Sequence, residues 1–184
     1  MWLAGVRFSQ HIAEGGGLIS ALSGRRVLAP SLRALHHDAV LKPLDAAARK
    51  RIETVLRARP ETGFDLRAAM KRDVASIDVT LRRLQAAPDP KAYFARIASM
   101  PAPPQDFTVP SAEEIAAFHT IMERIEDVLG QPLSQRIGRI AEIEAGRSAW
   151  HPFFRRVGPS AAPLETGGGE IAGRRQSLLD AVTK

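Results

Sequence analysis

The sequence predicts an all-α protein, a helical bundle of about five to six helices with a flexible N-terminal segment and a flexible C-terminal tail. Three observations carry this prediction. One helix, at residues 111–130, has a recognisable start, stop and apolar face. A second, at residues 64–87, repeats its apolar residues with heptad spacing. No stretch of four or more residues alternates apolar and polar side chains as a strand would.

The helix at residues 111–130 is marked by its first turn. Ser111 and Glu114 form a capping box pattern, in which each side chain accepts a hydrogen bond from the backbone amide of the other residue. The apolar residues that follow recur at steps of three and four and so share one face: Ile115, Phe118, Met122, Ile125 and Leu129. Gly130 is expected to end the helix in the left-handed conformation. Such a face requires partner helices.

The helix at residues 64–87 is expected to form the seam of the bundle. Its heptad-spaced apolar residues are Met70, Val74, Ile77, Leu81 and Leu84. Asp89 is an N-cap and Pro90 a first helical residue, so a short helix is predicted from there to about Ser99. Residues 100–110 contain four prolines and are expected to form an extended connector to the capped helix.

Three regions are expected along the chain: a flexible or docking segment at 1–30, the bundle domain at 31–156, and a flexible tether with a short amphipathic tail at 157–184. Within the first region, residues 2–12 are expected to form a short amphipathic helix that docks on the body, with a membrane surface as the alternative. Residues 15–17, all glycine, are expected to form a hinge. Residues 23–30 are expected to be a connector. The helical pattern then begins at Ser31 and runs to Arg59, and Pro43 is expected to divide it in two.

The second half of the chain has a weaker pattern. A helix is expected from Leu133 to about Trp150. Residues 157–169 are rich in glycine and small residues, which is typical of a flexible tether. In the tail, Ile171, Leu178 and Val182 fall on one helical side, but so short a helix is unstable alone in water. We therefore expect the tail to order against a partner protein.

Composition excludes several functional classes. The chain has no cysteine, which excludes disulfides, thiolate metal sites and thiol nucleophiles. No signal peptide or transmembrane segment is evident, and we expect a cytoplasmic protein. The net charge of +6 is unevenly placed: residues 1–100 carry +8, residues 101–145 carry −5 and residues 146–184 carry +3. We expect the acidic capped helix to pack beside the basic run at residues 49–59, so that the opposite charges of the two segments pair.

Patterns for catalysis or metal binding are incomplete. The run His151-Pro152-Phe153, with Gly158 after it, is similar to the first part of the motif of Fic-type transferases. Arginines at 155 and 156 stand where that family has its metal-binding carboxylate and glycine cradle, so we predict no transfer chemistry. His119 and Glu123 lie four residues apart, without the spacing of zinc or di-iron helices. We therefore predict no catalytic residue, no metal ligand and no cofactor.

The densest candidate recognition surface is a basic and aromatic corner near the end of the chain. Tryptophan, arginine and other aromatic residues dominate the energy of protein interfaces. We expect a non-enzymatic interaction or assembly module that binds a protein partner through this corner and the tail. The alternatives are a nucleic-acid-binding protein that uses its basic surface and a helical-bundle enzyme or metal-binding protein. The predicted partner-binding residues are Arg147, Trp150, His151, Phe153, Phe154, Arg155, Arg156, Ile171, Leu178 and Val182.

Overall fold

The all-α prediction is confirmed by a computed structural model, which describes residues 2–42, 44–102, 104–136, 138–160 and 162–183, with backbone only at residue 2 and at residues 162–167. Several of its helices are short, so there are more of them than the five or six expected. Helices and one 3-10 helix follow in this order: α1 (Trp2–Glu14), α2 (Leu18–Leu41), α3 (Ala46–Arg57), α4 (Leu66–Ala86), α5 (Pro90–Ile97), α6 (Ala112–Leu129), α7 (Leu133–Arg136), α8 (Arg139–Glu144), the 3-10 helix (Ala145–Ala149), α9 (Pro152–Val157) and α10 (Ala162–Thr183).

The apolar residues gather in two clusters. The central cluster joins α4, α5, α6, α8 and α9 with Phe107 of the connector. The terminal cluster joins α1, α2, α3 and α10 with Phe64. Helix α2 belongs to both, because Leu18 and Ala21 lie in the central cluster, whereas Leu28, Leu32 and Leu35 lie in the terminal one. The two ends of the chain therefore meet in one half of the fold.

The sequence signals of the central half are confirmed. Ser111 and Glu114 make both hydrogen bonds of the capping box, and all the stripe residues of α6 except the half-buried Ile115 are buried. Asp89 caps α5, and Pro90 is its first residue. Gly130, however, has φ −76° rather than the expected left-handed conformation, because the chain turns directly through Gln131, whose amide donates to the carbonyl of Val128.

The acidic face of α6 pairs with α4 rather than with the basic run at residues 49–59. Asp127 lies 3.6 Å from the guanidinium of Arg67, and Glu126 lies 3.8 Å from the amino group of Lys71. The expected pairing was wrong because residues 46–57 form α3, which packs on α10 at the other end of the molecule.

The N-terminal segment is helical and docked. Helix α1 packs along α2, and a side chain at Gly24 would come within 2.7 Å of the carbonyl oxygen of Ser9, so glycine permits this close approach. The expected connector at residues 23–30 is wrong, because α2 runs through Pro30, and the expected domain boundary at residue 30 falls inside it. Pro43 lies outside the described residues, and α3 follows it with Asp45 as its N-cap.

The helix expected from Leu133 to Trp150 is divided. Gly138 has φ +82°, a conformation that glycine adopts at little cost and that cannot continue a right-handed helix. The chain therefore forms α7, α8 and the 3-10 helix in place of one element. Helices α7 and α8 lie against α6, and the 3-10 helix packs on α8 and leads into α9.

The C-terminal tail is part of the folded body. Residues 162–183 form one helix, which includes most of the segment expected to be a flexible tether. Gly168 is buried, and a side chain there would lie 3.4 Å from Thr62, so small residues allow α10 to approach its neighbours. Helix α10 packs on α2 and α3, and the tether prediction failed because this packing outweighs the low helix propensity of glycine.

Candidate functional site

Helix α9 is the centre of the predicted corner. Its sequence starts it sharply, because Pro152 takes the first position and the Nδ1 atom of His151 accepts a hydrogen bond from the amide of Phe153 at 3.1 Å. Phe153 and Phe154 are 0% and 2% exposed. The two phenylalanines therefore fasten α9 to the core and, contrary to the sequence prediction, leave almost no exposed surface for a partner.

Aromatic rings connect α9 to three other parts of the fold. Phe154 stacks on Phe118 of α6, with ring centres 4.3 Å apart. Phe153 lies 6.1 Å from Phe94 of α5, which in turn stacks on Phe107 of the connector at 4.2 Å. Offset or tilted aromatic pairs of this kind add to the energy of burial. The corner is thus part of the central cluster and not a loose appendage.

Arg147 holds the end of α9. Its guanidinium donates to the carbonyl oxygens of Gly158 at 2.7 Å, Pro159 at 2.9 Å and Arg155 at 3.1 Å. The same guanidinium lies 5.0 Å from the ring centre of Trp150, in a cation–π contact. The last carbonyls of a helix have no partner within the helix, and here one arginine satisfies the carbonyl of Arg155 in the last turn and those of Gly158 and Pro159 directly after it. Arg147 therefore has a structural role, because it holds the end of α9 in place.

The two arginines at the end of α9 differ from Arg147. Arg156 donates from Nε and Nη2 to the carbonyl oxygen of Ala98, at 3.2 and 2.9 Å, which ties α9 to the end of α5. Arg155 makes one long contact, from Nη1 to the carbonyl oxygen of Ser148 at 3.4 Å. Both side chains are exposed, so they remain available to a ligand.

His151 is buried and serves as a cap. Burial lowers its pKa below the usual value, since desolvation disfavours the charged ring; Arg155 adds to this effect, whereas Glu114 and the backbone of Thr108 oppose it. Because Nδ1 accepts a hydrogen bond, the neutral ring carries its proton on Nε2, which lies 3.5 Å from the hydroxyl of Thr108. The ring is therefore fixed through Nδ1 and lies close to Thr108 on its other side.

A groove runs along α6 beside the corner, and we call it the α6 groove. Its volume is about 400 Å³. Its floor is largely aromatic and aliphatic, with Glu114 at one end of the α6 wall and Arg124 at the other. The groove is lined by Glu114, Ala117, Phe118, Ile121, Arg124, Ile143, Gly146, Ala149, Trp150, His151 and Phe154.

A second depression, the Phe94 pocket, lies elsewhere on α9. Its volume is about 240 Å³, and it is lined by Phe94, Met100, Pro104, Pro152, Arg155 and Arg156. Its walls are apolar except for the two guanidiniums. Helix α9 thus contributes to two concave surfaces, one beside Trp150 and one beside Arg155.

The predicted tail residues are not at this corner. Ile171, Leu178 and Val182 are buried in the terminal cluster against α1, α2 and α3. The prediction that they await a partner is corrected, because the apolar surface that the tail requires is supplied by this chain itself. The guanidinium of Arg175, which donates to the carbonyl oxygen of Leu56 at 3.0 Å, adds a polar contact to this packing.

Sequence reasoning missed the wall of the α6 groove. Glu114, Phe118, Ile121 and Arg124 follow one another at steps of three and four along the capped helix, and this spacing was the available signal. Phe118 was correctly predicted to face the core. The second wall of the groove depends on the turn at Gly138, which brings Ile143 and Trp150 opposite α6. That turn could not be placed from the sequence.

The described part of the chain has neither a metal-binding cluster nor a membrane-spanning helix. No group of three or more histidine, aspartate or glutamate side chains there could hold a metal ion. His119 instead lies 3.1 Å from Asp78 of α4. None of the described helices is both long enough and apolar enough to cross a membrane.

Comparison of the chain with protein-family models, curated proteins and solved structures found no match. Fold class by itself does not indicate a function, since one helical architecture serves many. The chemistry of the two concave surfaces at the corner is therefore the guide to function.

Proposed function

We propose that this chain is a non-enzymatic protein-binding module and that its partner occupies the α6 groove. The observation that carries the proposal is the groove itself, which is open to solvent, has a volume of about 400 Å³ and is lined in part by Trp150 and Ile121. Both side chains are only half-buried, so they retain apolar surface for a partner. Half-exposed tryptophan in a concave apolar surface is typical of the centre of a protein interface.

Rigidity of the groove supports this proposal. The cap of His151, the clamp of Arg147 and the stack of Phe154 on Phe118 fix the wall that faces α6. A surface that is already ordered loses little conformational entropy when a partner binds, which leaves more of the contact energy for affinity. The charged and aromatic residues predicted from the sequence thus act in part by shaping the site.

The dimensions of the groove suit a short segment of a partner. Glu114 and Arg124 are ten residues apart on α6, which corresponds to about 15 Å along the helix axis. That length accommodates about three turns of helix or roughly five residues of extended chain. A partner that inserts one such segment is the simplest occupant.

Two neighbouring alanines of α6 provide a test. Ala117 lines the groove, whereas Ala116 is exposed on the same helix and does not line it. Ala117→Arg places a long charged side chain in the groove, and Ala116→Arg makes the same chemical change outside it. Surface changes of this kind in a helix alter the free energy of unfolding by at most about 0.5 kcal/mol.

The experiment begins with affinity purification from the source cell using wild-type protein. The recovered partner is then purified, and its Kd for both variants is measured by calorimetry. We expect Ala117→Arg to weaken the complex at least tenfold and Ala116→Arg to leave it unchanged. Equal affinity of both variants, or no partner retained by the wild-type protein, would contradict the proposal.

Nucleic-acid binding is the second candidate, and the distribution of charge favours it. Residues 1–59 carry a net charge of +6, whereas residues 60–160 and 161–184 are each neutral overall. Lys50 and Arg51 are exposed on α3, within the basic part. If this surface binds nucleic acid, retention on a heparin column falls steeply with salt, and the double change Lys50→Glu with Arg51→Glu abolishes it.

A further inference from the structure

The Phe94 pocket combines two features that constrain its occupant. Its floor is Phe94, which is 1% exposed and held by its stack on Phe107. Met100, Pro104 and Pro152 form apolar walls, and the volume of about 240 Å³ suits one large apolar side chain. Filling it would remove apolar surface from water, which favours binding.

The rim of this pocket is positively charged. In the described part of the chain, no ion pair joins the guanidinium of Arg155 or of Arg156 to a carboxylate. Arg156 is oriented by its two hydrogen bonds to Ala98, and Arg155 lies beside it along α9. A guanidinium has five N–H donors in a planar fork, so each retains donors for an anionic oxygen.

We propose that the Phe94 pocket binds an apolar side chain of a partner protein that is followed directly by an acidic residue. The inference rests on the proposed function, because it specifies the chemistry of the partner. The apolar side chain fills the space above Phe94, and the neighbouring carboxylate accepts hydrogen bonds from Arg155 and Arg156. The complementarity of charge and of polarity with the pocket points to this pairing.

Neither the apolar side chain nor the carboxylate of the partner is expected to bind well alone. An apolar side chain without a carboxylate would leave two cations beside a newly covered apolar surface, where they lose hydration without gaining a partner. A phosphate or carboxylate alone would bind at an exposed rim, where a single ion pair contributes little. The pocket therefore discriminates in favour of a segment that offers both groups.

Capped tetrapeptides are the probes for this inference. One has leucine followed by glutamate between two glycines, a second has glutamine in place of the glutamate, and a third has serine in place of the leucine. Met100 is the reporter, because it lines the pocket and the ¹³C signal of its methyl group can be assigned with Met100→Leu. Each peptide is titrated into the full chain.

We expect the leucine–glutamate peptide to shift the Met100 signal to saturation. The glutamine peptide should bind about two- to fivefold more weakly, which is the contribution expected of an ion pair at an exposed rim. The serine peptide should cause no shift at the same concentrations. Arg155→Gln should remove the difference between the glutamate and glutamine peptides, whereas Arg82→Gln, a change at an exposed position of α4, should preserve it.

Several outcomes would overturn the inference. These are no shift with the leucine–glutamate peptide, equal affinity for the glutamate and glutamine peptides, or a shift caused equally by the serine peptide. A shift caused by oligothymidylate in place of the peptide would assign the arginines to nucleic acid. Failure here is distinguishable from failure of the proposed function, because the partner complex is tested separately through Ala117 in the α6 groove.

Discussion

Replacement of Arg147 by alanine tests the clamp that shapes the corner. The change removes three hydrogen bonds to the carbonyl oxygens of Arg155, Gly158 and Pro159 together with the contact over Trp150. It leaves the end of α9 without these partners. Because the side chain is only half-buried, water replaces part of what is lost.

The size of the effect follows from these contacts. Hydrogen bonds from a charged donor contribute about 1.5–3 kcal/mol each to stability, and an exposed cation–π contact about 0.5–1 kcal/mol. The contacts share one guanidinium and are not additive, so we expect a total loss of about 2–3 kcal/mol. For a chain of this length that loss lowers Tm by roughly 4–12 °C.

Calorimetry and hydrogen exchange measure the two consequences. Arg147→Ala should lower Tm by that amount and should speed amide exchange in residues 152–158 more than in α4. Arg147→Lys should lose an intermediate amount, because an ammonium group keeps the charge but lacks the fork. Arg139→Ala, at an exposed site, should change stability by at most about 0.5 kcal/mol. A wild-type Tm with unchanged exchange in Arg147→Ala would refute the clamp.

Three further predictions concern the fold. Ile125 is 0% exposed, so Ile125→Asp buries an unpaired charge and should unfold the chain. Ile125→Val should lower the free energy of unfolding by only about 0.5–1.5 kcal/mol. Both effects are measured by the helical circular dichroism signal on heating. The folded chain lowers the pKa of His151 from 6.5, so the unfolded state takes up a proton first, and stability should fall as pH falls below about 6.5. Denaturant titrations at pH 7.5 and 5.5 should show a smaller fall in His151→Asn, which keeps a capping acceptor but does not titrate. The carboxylate of Asp73 accepts a hydrogen bond from the amide of Leu18 at 2.9 Å, and Asp73→Ala should therefore cost about 1 kcal/mol in urea unfolding while Asp73→Asn costs less. A melting curve of Ile125→Asp like that of wild type, the same pH dependence in His151→Asn, or a neutral Asp73→Ala would contradict the respective contact.

The central half of the fold was predictable because its signals are local. A capping box and heptad spacing lie within a few residues of one another, and each element that carries them forms as expected. Helix α2 was not predictable in this way. It continues through Pro30 because Leu28 and Leu32 on either side are buried in the terminal cluster, and this long-range packing outweighs the missing amide.

The candidate site was predictable only in composition. The sequence indicated an aromatic and basic corner, but the roles of its members depend on distant partners. Phe154 is buried because α6 brings Phe118 beneath it, and Arg156 is oriented by the carbonyl of Ala98, 58 residues away in the chain. The tail was misjudged for the same reason, since the surface that buries Leu178 comes from the N-terminal helices.

Site-specific photo-crosslinking in the source cell tests the proposed binding surface most directly. A photoreactive amino acid at Ala149, on the wall of the α6 groove opposite α6, should yield a discrete adduct with a partner protein. The same amino acid at Ala116, which is exposed outside the groove, should yield none. An adduct of equal intensity at both positions, or no adduct at Ala149, would contradict the claim that this groove is where the protein binds its partner.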